Sequence, residues 1–274
     1  MTTTSIQITD DWQTFNPRLF LESWHRQVTP EHTATLDFLR RSYQTAAPGA
    51  RVIDFCCGPV VYQYLAAATR VAEIHACDLL PANLTEIRQW RDGAPEAFGW
   101  QPIVGEALRL EGRPAAPDDC AERERLARSK VTRLLACDIR HAHPLGGPVA
   151  RRYDIVSHCY GADVVAGTVE EWQRYVANCC SVLKPGGTLL MTLIKEATWW
   201  PNGDQILPAL ALNERHVEAA LLAIGFDGAT IELEAHDVED ASAAGYSHVI
   251  FARARLAAPG SKEEPWPAAD LSPR

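Results

Sequence analysis

Short apolar segments that alternate with amphipathic ones are the feature that most limits how this chain can fold. Arg51–Cys56 (RVIDFC), Glu73–Asp78 (EIHACD), Leu134–Asp138, Tyr153–Cys159 (YDIVSHC) and Thr188–Ile194 read as buried strands. Helical patterns follow at Val60–Thr69, Ala82–Asp92 and Val169–Leu183, and a charged amphipathic helix over Asp118–Leu135 leads into the third strand. Such alternation requires a parallel sheet covered by helices on both faces, because each parallel crossover needs a helix to carry the chain back. Glu214–Ile224 adds a helix stopped at Gly225, and Ile231–His236 and Ser247–Arg255 form an antiparallel edge hairpin. The expected fold is α/β, a doubly wound, mostly parallel Rossmann-like sheet with an antiparallel C-terminal hairpin.

Two helices are expected before the sheet, near Pro17–Gln27 and Pro30–Thr45, each with a proline suited to a first turn. Pro48-Gly49 breaks the chain after them. The Gly- and Pro-rich stretch 93–117 is expected to be an irregular excursion, and 197–212 a loop with two adjacent tryptophans. The domain reading is a disordered N-terminus at 1–10, an N-terminal helical cap at 11–48, one α/β domain at 49–256 and a disordered tail at 257–274.

Charge excludes several function classes. The formal net charge is −9, a poor electrostatic match to nucleic acid or to an anionic membrane. The basic cluster from Arg123 to Arg133 is interleaved with Glu124 and reads as a solvated helix face. The eight cysteines contain no C-x-x-C and no paired His motif, so no metal is expected. Most lie in apolar runs as small hydrophobes, which fits a reducing cytoplasm. Met1 to Asp10 lacks an apolar signal core, and no apolar run reaches the roughly 18 residues that span a membrane.

The chemistry sits at strand ends. Val52-Ile53-Asp54-Phe55-Cys56-Cys57-Gly58-Pro59 is a strand, a tight turn and a helix start, the arrangement that opens a cofactor cleft. The next strand ends in Asp78, an acid able to accept from both ribose hydroxyls. These two features serve dinucleotide enzymes and S-adenosylmethionine (SAM) enzymes alike, and the first also suits an ordinary buried strand and turn. The glycine count separates the two cofactors. A pyrophosphate needs G-x-G-x-x-G for close amide approach. Here only Gly58 is present, with Cys56 in place of the first glycine, and SAM carries no phosphate. Asp138 after the third strand can accept from an adenine amino group while Ile139 packs the ring. Leu183-Lys184-Pro185-Gly186-Gly187 completes a connection typical of SAM methyltransferases.

Over residues 11–255 the chain resembles the small-molecule methyltransferases acting on nicotinamide, phenylethanolamine, indolethylamine and thioethers. The matching segments include Phe15-Asn16-Pro17-Arg18, Cys57-Gly58-Pro59 with Tyr62-Gln63, and Asp78 with Asn83. Pro95-Glu96-Ala97-Phe98 before Trp100, and Leu110-Glu111-Gly112, lie in the irregular excursion, where fold constraints alone would not produce them. The resemblance implies a class I SAM methyltransferase with an N-terminal helical cap, S-adenosyl-L-homocysteine as by-product, and no metal. It also implies a small-molecule substrate, a monomer and a cytoplasmic setting.

Carried over residue by residue, the resemblance implies a cofactor site with Cys56, Cys57, Tyr62 and the Asp54 and Gly58 turn around the methionine part. Asp78, Leu79 and Asn83 fall at the ribose, Asp138 and Ile139 at the adenine, and Cys159 on the wall. Phe20 and His25 stand where the family has tyrosines over the cofactor. Asp163 matches the acid that contacts the amine, and a helix N-cap or loop acid is its ordinary alternative. Glu196 is a second catalytic candidate, with an exposed loop acid as its alternative. Trp24, Tyr160, Asp163, Ala197, Trp199 and Trp200 are the expected substrate contacts. The tryptophan pair could equally pack under its loop. His236, Asp237, Glu239 and Asp240 lie where the family completes its pocket, and Leu193 stands where the nicotinamide-type pocket has an aspartate. Methyl transfer needs no covalent intermediate, so Cys56 and Cys159 are not expected to be nucleophiles. The expected function is methyl transfer to a heteroaromatic or amine nitrogen. The alternatives are an S-, O- or C-methyltransferase of the same fold and a non-catalytic SAM-binding regulator.

Overall fold

The structure is a computed structural model and describes residues 12–148, 150–238 and 245–258. The expectations for 1–10, for Glu239 and Asp240, and for the tail beyond 258 lie outside the described residues. Two capped helices come first. The Asn16 side chain accepts from the Leu19 N–H at 3.0 Å and starts α1 (Pro17–Trp24). Thr29 starts α2 (Pro30–Gln44) through a reciprocal capping box with His32. The prolines occupy the first turns, as read.

The chain then runs β1 (Ala50–Phe55), α3 (Tyr62–Ala67), β2 (Val71–Asp78), α4 (Pro81–Asp92), α5 (Gln101–Leu110), α6 (Pro117–Lys130), β3 (Val131–Ala136) and β4 (Tyr153–Cys159). It continues with α7 (Ala162–Val165), α8 (Val169–Cys180), β5 (Leu183–Lys195), β6 (Trp199–Asn202), β7 (Gln205–Pro208), α9 (Glu214–Ile224), β8 (Glu232–Asp237) and β9 (His248–Arg255). Seven strands form one sheet in the order β3-β2-β1-β4-β5-β9-β8. The first five are parallel, and β9 runs antiparallel to both β5 and β8. The order reverses between β1 and β4, the switch point at which doubly wound sheets bind ligands.

Alternate side chains of the central strands enter two cores. Val52, Ile155, Leu190 and Phe251 face the layer built from α2 to α6, whereas Ile53, Val156, Met191 and Ile250 face α8 and α9. The cap helix α2 lies on the first layer, where Phe38 stacks on Phe251 of β9 at 5.0 Å and Arg41 forks onto Glu234 of β8 at 2.7 and 2.9 Å. No helix among the described residues is long and apolar enough to cross a membrane.

Four expectations are corrected. The excursion 93–117 contains α5, whose Ile103, Val104, Ala107 and Leu108 make a buried helical stripe despite Pro102 and Gly105. The loop 197–212 contains the β6–β7 hairpin. Helix α6 ends at Lys130 instead of 135, because Val131 already pairs with Ile74 in the sheet. Lys184-Pro185-Gly186-Gly187 lies inside β5 instead of ending a helix. Helix α8 stops at Cys180, Leu183 pairs with Tyr153, and Gly186 at φ 74° lets the strand bulge before regular pairing resumes at Thr188.

Candidate active site

A cavity of about 660 Å³ opens at the carboxyl ends of the parallel strands, under α1 and α2. It has two arms about the switch point. One lies over β1, β2 and β3 and carries Asp78, Asn83, Asp138 and Ile139. The other lies over β4, β5 and the β8–β9 connection and carries Tyr160, Ile194, Trp200 and Tyr246. Cys56, Cys57, Tyr62 and Cys159 line the wall between them.

Left-handed backbone recurs at this rim. β1, β4 and β5 are each followed at once by a non-glycine residue with positive φ: Cys56 at 52°, Tyr160 at 53° and Glu196 at 52°. Such residues are strained locally by about 1 kcal/mol or more. Gly58, at φ 57°, lets the first turn tighten. Gly161 permits the closest approach, because a Cβ there would stand 2.6 Å from both Cys56 Cβ and His158 Cε1.

Asp78 is buried and held in place. Its Oδ2 accepts from the Gly58 N–H at 2.8 Å, and its Oδ1 accepts from the Leu80 N–H at 2.8 Å and from Asn83 Nδ2 at 3.1 Å. Burial raises its pKa, and these bonds work in the opposite sense. The fixed carboxylate keeps lone pairs for hydroxyl donors in the cavity. Asn83 Oδ1 is buried without a partner among the described residues. Asp138 is gripped by Arg140, with Nε at 2.8 Å and Nη2 at 2.7 Å, which holds its carboxyl below the usual range.

The cap contributes an aromatic wall and one unused donor. The Phe20 ring meets His25 edge-on at 5.2 Å and Trp200 at 5.8 Å. His25 also packs on Tyr62 and on Trp100, which explains the aromatic P-E-A-F-x-W segment of the excursion. Burial lowers the pKa of His25 well below its ordinary value and that of His32 to about 4, so both rings are neutral at pH 7. The Thr29 N–H donates to His32 Nδ1 at 3.2 Å, so the proton of His32 is on Nε2. That nitrogen donates to His25 Nδ1 at 2.9 Å, which leaves the His25 proton on Nε2. This N–H is buried without a partner among the described residues.

Several expected residues do not reach the cavity. Asp54 is buried behind the turn, where its Oδ2 accepts from Gln63 and from the Tyr64 hydroxyl, both at 2.9 Å; burial pushes its pKa up to about 6. Asp163 is 1% exposed and turned away, its Oδ2 accepting from the Ile194 N–H at 3.0 Å. Glu196 is exposed on the outer surface, and Ala197 is buried in the core. Trp199 packs against Gly245, while its neighbour Trp200 lines the arm over β4 and β5. Leu193 belongs to the second core. The cavity does take in Phe20, Trp24, His25, Cys56, Cys57, Gly58, Tyr62, Asp78, Leu79, Asn83, Asp138, Ile139, Cys159, Tyr160 and Trp200. Sequence reasoning missed Glu31, Thr35 and Tyr246. Glu31 reads as an ordinary first-turn acid after a Thr-Pro cap, and Tyr246 sits where no periodic pattern exposes its role.

The sequence model of the NNMT/PNMT/TEMT family matches residues 3–255. Nicotinamide N-methyltransferase of Homo sapiens is 31% identical over 221 residues, covering 77% of this chain and 82% of that protein. Indolethylamine N-methyltransferase of Oryctolagus cuniculus is 30% identical over 226 residues, covering 80% and 85%. Among solved structures, a S-adenosylmethionine-dependent methyltransferase from Clostridium acetobutylicum superposes with a TM-score of 0.50 at 11% identity, covering 88% of this chain and 97% of that one. That likeness concerns the fold alone.

Proposed function

Because the chain belongs to the NNMT/PNMT/TEMT family and is a SAM-dependent methyltransferase, we propose that it methylates a nitrogen of a small molecule, in an amine or a heteroaromatic ring. The observation that carries this reading is one cavity with a polar arm for a nucleoside and an aromatic arm for an acceptor. When bound, SAM supplies a methyl group on a sulfonium, an electrophile that needs no further activation.

The chain's residues fit that molecule. Asp78 and Asn83 hold the ribose, with the fixed carboxylate and the unpartnered amide oxygen as acceptors. Ile139 packs the adenine, and Asp138 accepts from its amino group beside Arg140. The unused His25 N–H would donate to the carboxylate of the methionine part. Phe20 covers the site as an apolar ring. Cys56, Cys57 and Cys159 supply apolar wall. Burial pushes the Cys159 thiol up to about 12, which leaves it protonated and inert at pH 7. Trp24, Tyr160 and Trp200 hold the acceptor's ring and exclude water, so the protein's part is alignment. Residues 11–48 act as the cap of the domain at 49–256. A cytoplasmic monomer that binds neither nucleic acid nor membrane is consistent with eight unbridged cysteines and a net charge of −9.

The test is mass-spectrometric detection of methyl transfer from SAM to a panel of pyridines, arylalkylamines, phenols and thiols. Transfer to at least one nitrogen acceptor is expected. Transfer only to thiols or phenols would overturn the nitrogen assignment. Tight SAM binding with no transfer to any acceptor would leave a non-catalytic binder.

A further inference from the structure

The acceptor arm contains an acid that neither the strand-end motifs nor the relatives' names point to. Glu31, in the first turn of α2, lines the cavity on the side of β4 and β5. Its Oε2 accepts from the Tyr246 hydroxyl at 3.1 Å, and the Tyr160 hydroxyl stands beside the same carboxylate and favours its charged form. Tyr160 is steadied in turn by Thr35 Oγ1 at 3.3 Å. Burial raises the pKa of Glu31, and both phenols work against that rise. The phenols are neutral donors, so they orient the carboxylate without cancelling its charge.

The other cavity acids are already committed. Asp78 accepts three hydrogen bonds from its own turn, and Asp138 is forked by Arg140. Among the described residues lining the cavity, Arg140 is the one arginine or lysine, and it stands on the cofactor arm. His25 and His32 are neutral. Glu31 therefore stands in an aromatic chamber with no cation beside it, an arrangement that is costly for its charged form unless a ligand answers it. A donor N–H that becomes cationic during the reaction answers it twice, by its hydrogen bond and by its charge.

We propose that Glu31 is the carboxylate that receives the acceptor nitrogen, with Tyr246 fixing its orientation and Tyr160 beside it, so that the enzyme selects acceptors carrying an N–H. The inference rests on the nitrogen reading above. In the transfer, the nitrogen lone pair makes the new N–C bond while the C–S pair stays with sulfur. Glu31 faces the positive charge that appears on nitrogen and then takes up the N–H proton, which returns the amine to neutrality and passes to water.

The variants are Glu31→Gln, which keeps the side-chain volume, and Tyr246→Phe, which leaves α2 untouched. The probes are 2-phenylethylamine and its isostere 2-phenylethanol, titrated calorimetrically into enzyme loaded with S-adenosylhomocysteine, together with kcat/KM for N–H amines. Glu31→Gln should weaken amine binding and lower amine kcat/KM by about tenfold or more, with alcohol and S-adenosylhomocysteine binding unchanged. Tyr246→Phe should give a smaller loss with the same selectivity, which keeps the test open should Glu31→Gln fold poorly. Equal losses for amine and alcohol, or full amine turnover in both variants, overturn the inference alone. So does an unmodified enzyme that methylates only ring nitrogens lacking an N–H. If the unmodified enzyme methylates no nitrogen at all, the nitrogen reading fails and the inference falls with it.

Discussion

Asp163 lies four residues past the end of β4 and is an obvious candidate from its position, yet its carboxylate points into the core and serves the Ile194 N–H. The reason is local. Tyr160 takes a left-handed backbone, and the single turn of α7 that follows directs Asp163 inward and Val164 toward the cavity. A sequence shows that an acid follows a strand, but not the phase of a four-residue helix behind an irregular turn. Asp78 was legible because it is the last residue of β2, and Asp138 because the chain runs from β3 through two residues into a turn, with no helix phase to choose. Burial has a measurable consequence at Asp163, since it pushes the pKa from 3.8 to about 7. The native state then binds more protons than the unfolded chain between those values, so this site lowers stability as pH rises through the window and lowers it fully above about pH 7. Asp163→Asn keeps an oxygen for Ile194. It should match the unmodified protein near pH 4 and exceed it by roughly 1–4 kcal/mol at pH 8. Urea midpoints at the two pH values measure this, and an equal difference at both contradicts it.

At the scale of elements, the Phe15-Asn16-Pro17-Arg18 motif is a clamp. Asn16 starts α1, and Arg18 ties that helix to α4 and to the excursion, reaching Glu86 at 2.8 Å and the Glu96 carbonyl at 2.9 Å. Because α1 carries Phe20 and the chain to His25, Arg18→Ala should weaken SAM binding about three- to tenfold. The ion pair is partly exposed, so the melting temperature should change little. Calorimetry beside a thermal melt separates the two effects, and a large fall in melting temperature without loss of affinity would assign Arg18 to folding. The helices and strands of the sheet were readable because their periods are regular and their stops are marked. Helix α5 was hidden by Pro102 and Gly105, although its apolar spacing was present. The β6–β7 hairpin was hidden because two four-residue strands carry too little alternation, and only the Asn202-Gly203-Asp204 turn marks them.

For the whole molecule, the cavity is roofed by elements that join across the chain. The Trp24 Nε1 donates to the Pro201 carbonyl at 3.1 Å, and Gly203 sits so close to α1 that a Cβ would stand 2.5 Å from Leu19 Cδ2. Helix α1 and the β6–β7 hairpin are therefore joined over the site and should stiffen together when a ligand fills it. Binding of S-adenosylhomocysteine should slow amide hydrogen exchange in residues 17–24 and 199–208 while leaving β1 and β4 unchanged, and uniform slowing would contradict a local roof. The floor beneath behaves differently. Cys56, Tyr160 and Glu196 hold positive φ at the ends of three neighbouring strands, where glycine would sit without strain. Glycine there would relax the backbone and also loosen it, since a residue without a Cβ gains freedom in the unfolded chain. Laboratory evolution for heat resistance therefore has no reason to smooth Tyr160, where glycine would also remove a ring packed on the core and a hydroxyl beside Glu31. Thermal robustness and substrate discrimination are thus served by one side chain, and screens that score the first should keep that residue.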